Sequence, residues 1–146
     1  MGVFDASKLP PTCIQNVTFH YYYEPNVDNM TEDCLHLNLW VPYSRNSTQL
    51  KPIIIFIHGG ALNVGSSNMK VYDGTNLAKF GDVIIANISN ELDKDNARSF
   101  GGDPNHIVLM GESAGGHDYF RTSYIPTHKR HDQESNNAKV AQQRFL

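Results

Sequence analysis

Apolar residues in this chain fall into one alternating run and three continuous ones. Leu35, Leu37, Leu39 and Val41 alternate with His36, Asn38 and Trp40, a period of two that predicts a half-buried strand ending at Pro42. Ile53-Ile54-Ile55-Phe56-Ile57, Val83-Ile84-Ile85-Ala86 and Ile107-Val108-Leu109-Met110 are unbroken and rich in β-branched side chains, as expected of strands covered on both faces. Mixed segments separate them, which predicts an α/β fold with a parallel sheet. Leu77 and Phe80 in the stretch from Tyr72 to Phe80 suggest a short helix between the first two. Residues 1–34, rich in Pro, Asn, Tyr and Thr, show neither period and read as loop. Beyond Gly116, His, Arg, Lys, Gln and Asn crowd out the aliphatics, and residues 117–146 are expected to form a divergent, poorly ordered tail.

Composition narrows the classes of function. With 146 residues, 40% of them hydrophobic and 18% charged, the chain is the size of one globular domain. A net charge of −3 and a pI near 6.1 speak against nucleic acid or an anionic membrane as partner. No apolar run reaches the roughly 18 residues that span a bilayer. The opening Met1-Gly2-Val3-Phe4-Asp5-Ala6-Ser7-Lys8 has no basic and then apolar leader, so no secretory signal is expected in this sequence. Cys13 and Cys34 are the two cysteines; in an oxidising compartment a bridge between them would close a loop of about 20 residues. Asn16-Val17-Thr18, Asn29-Met30-Thr31 and Asn46-Ser47-Thr48 fit the glycosylation pattern in polar surroundings. Asn87-Ile88-Ser89 fits it too, but lies in an apolar strand and is discounted. His117, His128 and His131 have no metal-ligand spacing, and no metal or cofactor is expected.

Two motifs carry chemistry. Gly111-Glu112-Ser113-Ala114-Gly115 directly follows the apolar run 107–110, the strand-to-helix setting in which G-x-S-x-G lifts a serine hydroxyl clear of a sheet. Small neighbours are needed there because the turn is sharp and the serine backbone strained. His58-Gly59-Gly60-Ala61 ends the run 53–57, where backbone N–H groups can meet the negative charge that develops on a carbonyl oxygen in acyl transfer. Gly60 and Ala61, with Ala114 after the serine, are the natural donors. His58 is expected to prop this loop rather than to titrate in catalysis.

Taken together with Thr31-Glu32-Asp33-Cys34-Leu35-His36-Leu37-Asn38 and Phe100-Gly101-Gly102-Asp103-Pro104, these motifs resemble the type-B carboxylesterase and cholinesterase family, over roughly residues 3 to 116. The resemblance implies a partial α/β-hydrolase fold, the N-terminal part of the central sheet through the nucleophile elbow, with residues 1–116 as the domain portion. It also implies a Cys13–Cys34 disulfide, a secreted or endoplasmic-reticulum setting for the parent protein, and hydrolysis of small-molecule carboxylic esters by a Ser-Glu-His triad with no cofactor. Ser113 carries over as nucleophile, and Gly60, Ala61 and Ala114 as oxyanion donors.

The departures from the family pattern shape the expectation of activity. Ala61 stands where a third glycine is usual, and the loop closed by the cysteines offers Phe19 and Tyr21 to Tyr23 rather than a choline-binding tryptophan. That points to a general carboxylesterase. A long family segment is skipped between Leu92 and Lys94. Nothing after Gly116 resembles the family, whose acid and histidine follow the serine far downstream. Asp118, Asp132 or Glu134 with His128 or His131 would lack a scaffold to hold them as a replacement. The expectation is a truncated esterase without activity of its own. The alternative is a non-catalytic, neuroligin-like adhesion member, which the intact Ser113 motif opposes.

Overall fold

The computed structural model describes residues 6–16, 29–43, 48–89, 94–117 and 139–145. Near the N-terminus, β1 (Thr12–Cys13) pairs in parallel with β2 (Met30–Thr31), and a Cys13–Cys34 disulfide ties the same two segments. The main sheet holds β3 (His36–Val41), β4 (Lys51–Ile57), β5 (Ile84–Ile88), β6 (Gly102–Gly111) and β7 (Lys139–Phe145), in the spatial order β6-β4-β5-β3-β7. The three continuous apolar runs form β4, β5 and β6, all parallel. β3 runs antiparallel to β5 and parallel to β7, so the sheet is mixed.

Both faces of β4 and β5 are covered, which explains their unbroken apolar runs; β6 departs from the expectation, since it packs on one face through Ile107 and Leu109 and leaves Val108 and Met110 exposed on the other. On one face Leu37, Leu39, Val41, Ile53, Ile55, Ile84 and Ala86 pack with Ala97 and Phe100 of the 3₁₀ turn at Lys94–Phe100. On the other, Trp40, Ile85 and Ile54 meet Ala78 of α1 (Thr75–Gly81). The predicted helix within Tyr72–Phe80 resolves into a 3₁₀ turn at Lys70–Tyr72 followed by α1. Asp82 closes α1 in the left-handed conformation and accepts an ion pair from Lys51 Nζ at 2.5 Å. That pair ties the end of α1 to the start of β4.

The expectation for β3 is corrected here. β3 is not half-buried: all six of its residues are buried. Its polar positions face protein instead of water, because Asn38 donates through Nδ2 to Ser67 O and to Asn68 Oδ1, while Trp40 packs beneath α1. Polar alternation marks a second face, and a loop with free carbonyls covers such a face as well as water does. Of residues 118–146, only 139–145 are among the described residues. The backbone of 139–145 forms β7 along β3, with a register shift between Leu37 and Asn38. Backbone pairing to a sheet edge requires no apolar period, so the polar composition carried no sign of it.

Candidate active site

Parallel β4 and β6 end side by side, with Ile57 opposite Gly111, and the chain leaves both at the carboxyl edge where open α/β sheets place ligands. After Gly111 the chain reverses in two residues. Ser113 takes φ 51°, and the helical turn 114–117 begins at once, with Gly115 N–H donating to Glu112 O at 2.9 Å and Gly116 N–H to Ser113 O at 3.1 Å. A non-glycine residue in the left-handed region costs about 1–2 kcal/mol. Ser113 is therefore held in strain at an exposed position.

Close packing explains the glycines around it. A Cβ on Gly111 would stand 2.5 Å from the Gly115 carbonyl carbon, and a Cβ on Gly115 would meet the carbonyl oxygens of Ile57 and His58, the latter at 2.6 Å. The elbow thus lies in contact with the end of β4. Glu112 N–H donates to Ile57 O at 3.2 Å, and a Cβ on Gly59 would stand 2.9 Å from Glu112 O. Tyr72, whose ring lies 4.7 Å from that of Phe56, donates its hydroxyl to Glu112 Oε2 at 3.3 Å.

From His58 the chain enters a compact turn. Asn63 and Val64 both donate N–H to Gly60 O at 3.0 Å. Gly60 at φ 120° and Gly65 at φ 115° occupy backbone conformations closed to side chains, while Ala61 and Leu62 follow at φ 54° and 60°. Ala61 therefore accepts left-handed strain where glycine would sit freely. His58 Nδ1 donates to Gly59 O at 2.7 Å, a contact internal to the loop. Within the turn, the bonding to Gly60 O uses the N–H groups of Asn63 and Val64, not those of Gly60 and Ala61.

Ser113, Gly60, Ala61 and Ala114 therefore sit on two adjoining segments at one edge of the sheet. No described histidine or carboxylate bonds the Ser113 hydroxyl. His36 Nε2 pairs with Asp33 O, and His106 Nδ1 with Asp103 Oδ2 at 2.6 Å. Because of the His106 hydrogen bond, and of Asn105 N–H donating to its other oxygen, Asp103 lies below the ordinary aspartate pKa. His128, His131, Asp118, Asp132, Glu134 and Asn46 lie outside the described residues. Asn16 and Asn29 are exposed, whereas Asn87 is buried and donates to Tyr72 O. Sequence reasoning passed over Gly65, Tyr72 and Gln15; Gln15 bonds Gly65 from 50 positions away, and no local pattern signals that.

Comparison with known proteins gives a consistent result. Residues 1–92 match the model of the carboxylesterase family. The match stops at the place where the sequence departs from the family pattern. Acetylcholinesterase-1 of Trittame loki is 33% identical over 155 residues, covering 85% of this chain and 27% of the relative. Carboxylesterase 3B of Mus musculus is 34% identical over 149 residues, covering 79% of this chain and 26% of the relative. Among solved structures, a thermophylic PNB esterase superposes with a TM-score of 0.71 at 27% identity, over 84% of this chain and 31% of that one. The chain thus spans about a quarter of the length of the curated relatives.

Proposed function

The chain belongs to the carboxylesterase family, and from that premise we propose that it carries the acylation half of a serine carboxylic ester hydrolase. The observation that carries this reading is Ser113 at φ 51°, raised on a glycine-packed elbow against the His58–Gly65 loop. In the proposed reaction Ser113 Oγ attacks the acyl carbon of a small carboxylic ester. The carbonyl oxygen gains negative charge, which the N–H groups of Gly60, Ala61 and Ala114 receive. Preorganised donors of this kind are worth about 3–4 kcal/mol each in barrier lowering. Collapse of the tetrahedral species expels the alcohol and leaves an ester on Ser113, which water then cleaves.

The serine proton needs an acceptor, and among the described residues none is hydrogen-bonded to the Ser113 hydroxyl. A serine hydroxyl without a neighbouring base is a weak nucleophile. The 146 residues taken by themselves are accordingly proposed to be inactive, with residues 1–116 as the family portion and 117–146 as a divergent extension. The Cys13–Cys34 bridge suits an oxidising compartment, either secreted or in the endoplasmic-reticulum lumen. Asn16, Asn29 and Asn46 are the proposed glycosylation sites.

An activated-ester assay on the purified chain, with Ser113→Ala as control and added imidazole as an external base, tests the reading. Expected is Ser113-dependent ester cleavage with imidazole and little without it. Full Ser113-dependent turnover without imidazole would overturn the proposed loss of activity. Equal rates for the chain and Ser113→Ala under both conditions would overturn the nucleophile.

A further inference from the structure

Gln15 reaches the far end of the loop that begins at His58. Its Oε1 accepts the Gly65 N–H at 2.7 Å, and its Nε2 donates to Gly65 O at 3.0 Å and to Cys13 O at 3.2 Å. One side-chain amide thus holds both backbone groups of a single residue, in the manner of a strand partner. The fork also fixes which end of the amide is oxygen, since only that orientation satisfies all three bonds.

Gly65 occupies a consequential position in the loop. It is buried, it sits at φ 115°, and a Cβ there would stand 2.5 Å from Gly59 O and 2.7 Å from His58 Nδ1. The residue that Gln15 grips is therefore the back wall of His58-Gly59, and the Gly60–Val64 turn springs from that wall. Gln15 is anchored in its turn, two residues from the Cys13–Cys34 disulfide. Neighbouring contacts bind the same strap further along: Thr12 Oγ1 lies 3.2 Å from Ser66 Oγ, and Asn68 Nδ2 donates to Pro10 O at 2.8 Å. Of these contacts, the one made by Gln15 lands on the residue that touches His58 and Gly59.

We propose that Gln15 is a positioning residue of the acylation site, fixing the Gly60 and Ala61 N–H groups by clamping Gly65. This rests on the esterase reading for its consequence, though not for the clamp itself. A disulfide-anchored amide that satisfies a loop's backbone keeps the loop preformed before an ester arrives, and preformed donors are the ones that lower a barrier.

The test uses the full chain labelled with ¹⁵N, in wild-type, Gln15→Met and Gln15→Glu forms. Methionine keeps the length and removes the amide, whereas glutamate retains an oxygen for Gly65 N–H and loses the donor to Gly65 O. Amide hydrogen exchange at Asn63, Val64 and Gly65, the loop amides that are hydrogen-bonded, is expected to speed up at least tenfold in Gln15→Met and to recover in part in Gln15→Glu, while β4 and β5 amides stay unchanged. Labelling of Ser113 by a fluorophosphonate with added imidazole is expected to fall and recover in the same order. Unchanged exchange at the three loop amides would overturn the clamp. Uniform acceleration throughout the sheet would overturn it as well, by showing Gln15 to support the whole fold. If wild type showed protected loop amides but no Ser113 labelling, the esterase reading would fail while the exchange comparison still decided the clamp.

Discussion

Gly115→Ala offers a sharp test of how the elbow is held. The new methyl would lie 2.6 Å from His58 O and closer still to Ile57 O, where ordinary contact begins at 3.4 Å. Relieving the His58 contact alone requires a separation of about 0.8 Å between the helical turn and the end of β4. Both contacts are backbone atoms at the end of a central strand, so no side chain can rotate away. Overpacking of this kind costs about 1–3 kcal/mol, and we expect about 2 kcal/mol. A displacement near 1 Å between Ser113 and the His58–Gly65 loop is also enough to slow chemistry roughly 100-fold. Gly116→Ala is the matched control, since its Cβ has no contact nearer than 3.6 Å to Gly111 O; alanine there even favours the helical turn by about 0.5–1 kcal/mol. Urea unfolding gives the stability difference, and the rate of fluorophosphonate labelling with imidazole gives the geometric one. Equal behaviour of the two alanine variants in both assays would refute the packing argument.

Further predictions follow from the same structure. Ser113→Gly should raise stability by about 0.5–1 kcal/mol, the relieved strain at φ 51° less the added unfolded-chain entropy, and should abolish labelling; a loss of stability in urea would count against a strained serine. Ala61→Gly, at φ 54°, should likewise be neutral or slightly stabilising in the same assay. Removing the Cys13–Cys34 bridge, which spans a separation of 21 residues, should cost about 3 kcal/mol, read from thermal unfolding of a Cys34→Ser, Cys13→Ser variant. The hydrogen bond from His106 holds the Asp103 carboxyl below the ordinary aspartate pKa of 3.8. Its contribution to stability is therefore present above the unfolded value and lost as pH falls through the folded one. The Tm difference between wild type and Asp103→Asn should accordingly persist at neutral pH and fade below about pH 3.8, with an undiminished difference in strong acid as the contrary result.

The parts of this fold that were legible in the sequence are those where one short window carries the whole signal. Ile53–Ile57 and Val83–Ala86 are apolar on both faces because both faces are covered, whereas Ile107–Met110 packs through Ile107 and Leu109 and leaves Val108 and Met110 exposed. Ser113 was legible because the constraint on its neighbours is local: Gly111 and Gly115 touch each other and the end of β4. Asn38 misled because a polar side chain on a strand signals only that it has partners. Those partners, Ser67 and Asn68, are supplied by a distant loop. Gln15 was silent for the same reason, since its role exists only once Gly65 has been folded against it. β7 uses backbone groups that every residue possesses, and no side-chain pattern announces it.

The central claim is that Ser113 is a nucleophile set before a preformed oxyanion loop, and chemical trapping addresses it most directly. The purified chain would be incubated with a fluorophosphonate in the presence of imidazole, digested, and mapped by mass spectrometry. The account predicts a single phosphonylated site at Ser113, absent in Ser113→Ala and after unfolding in urea. Modification spread over exposed serines and tyrosines at similar rates, or unchanged by unfolding, would contradict it.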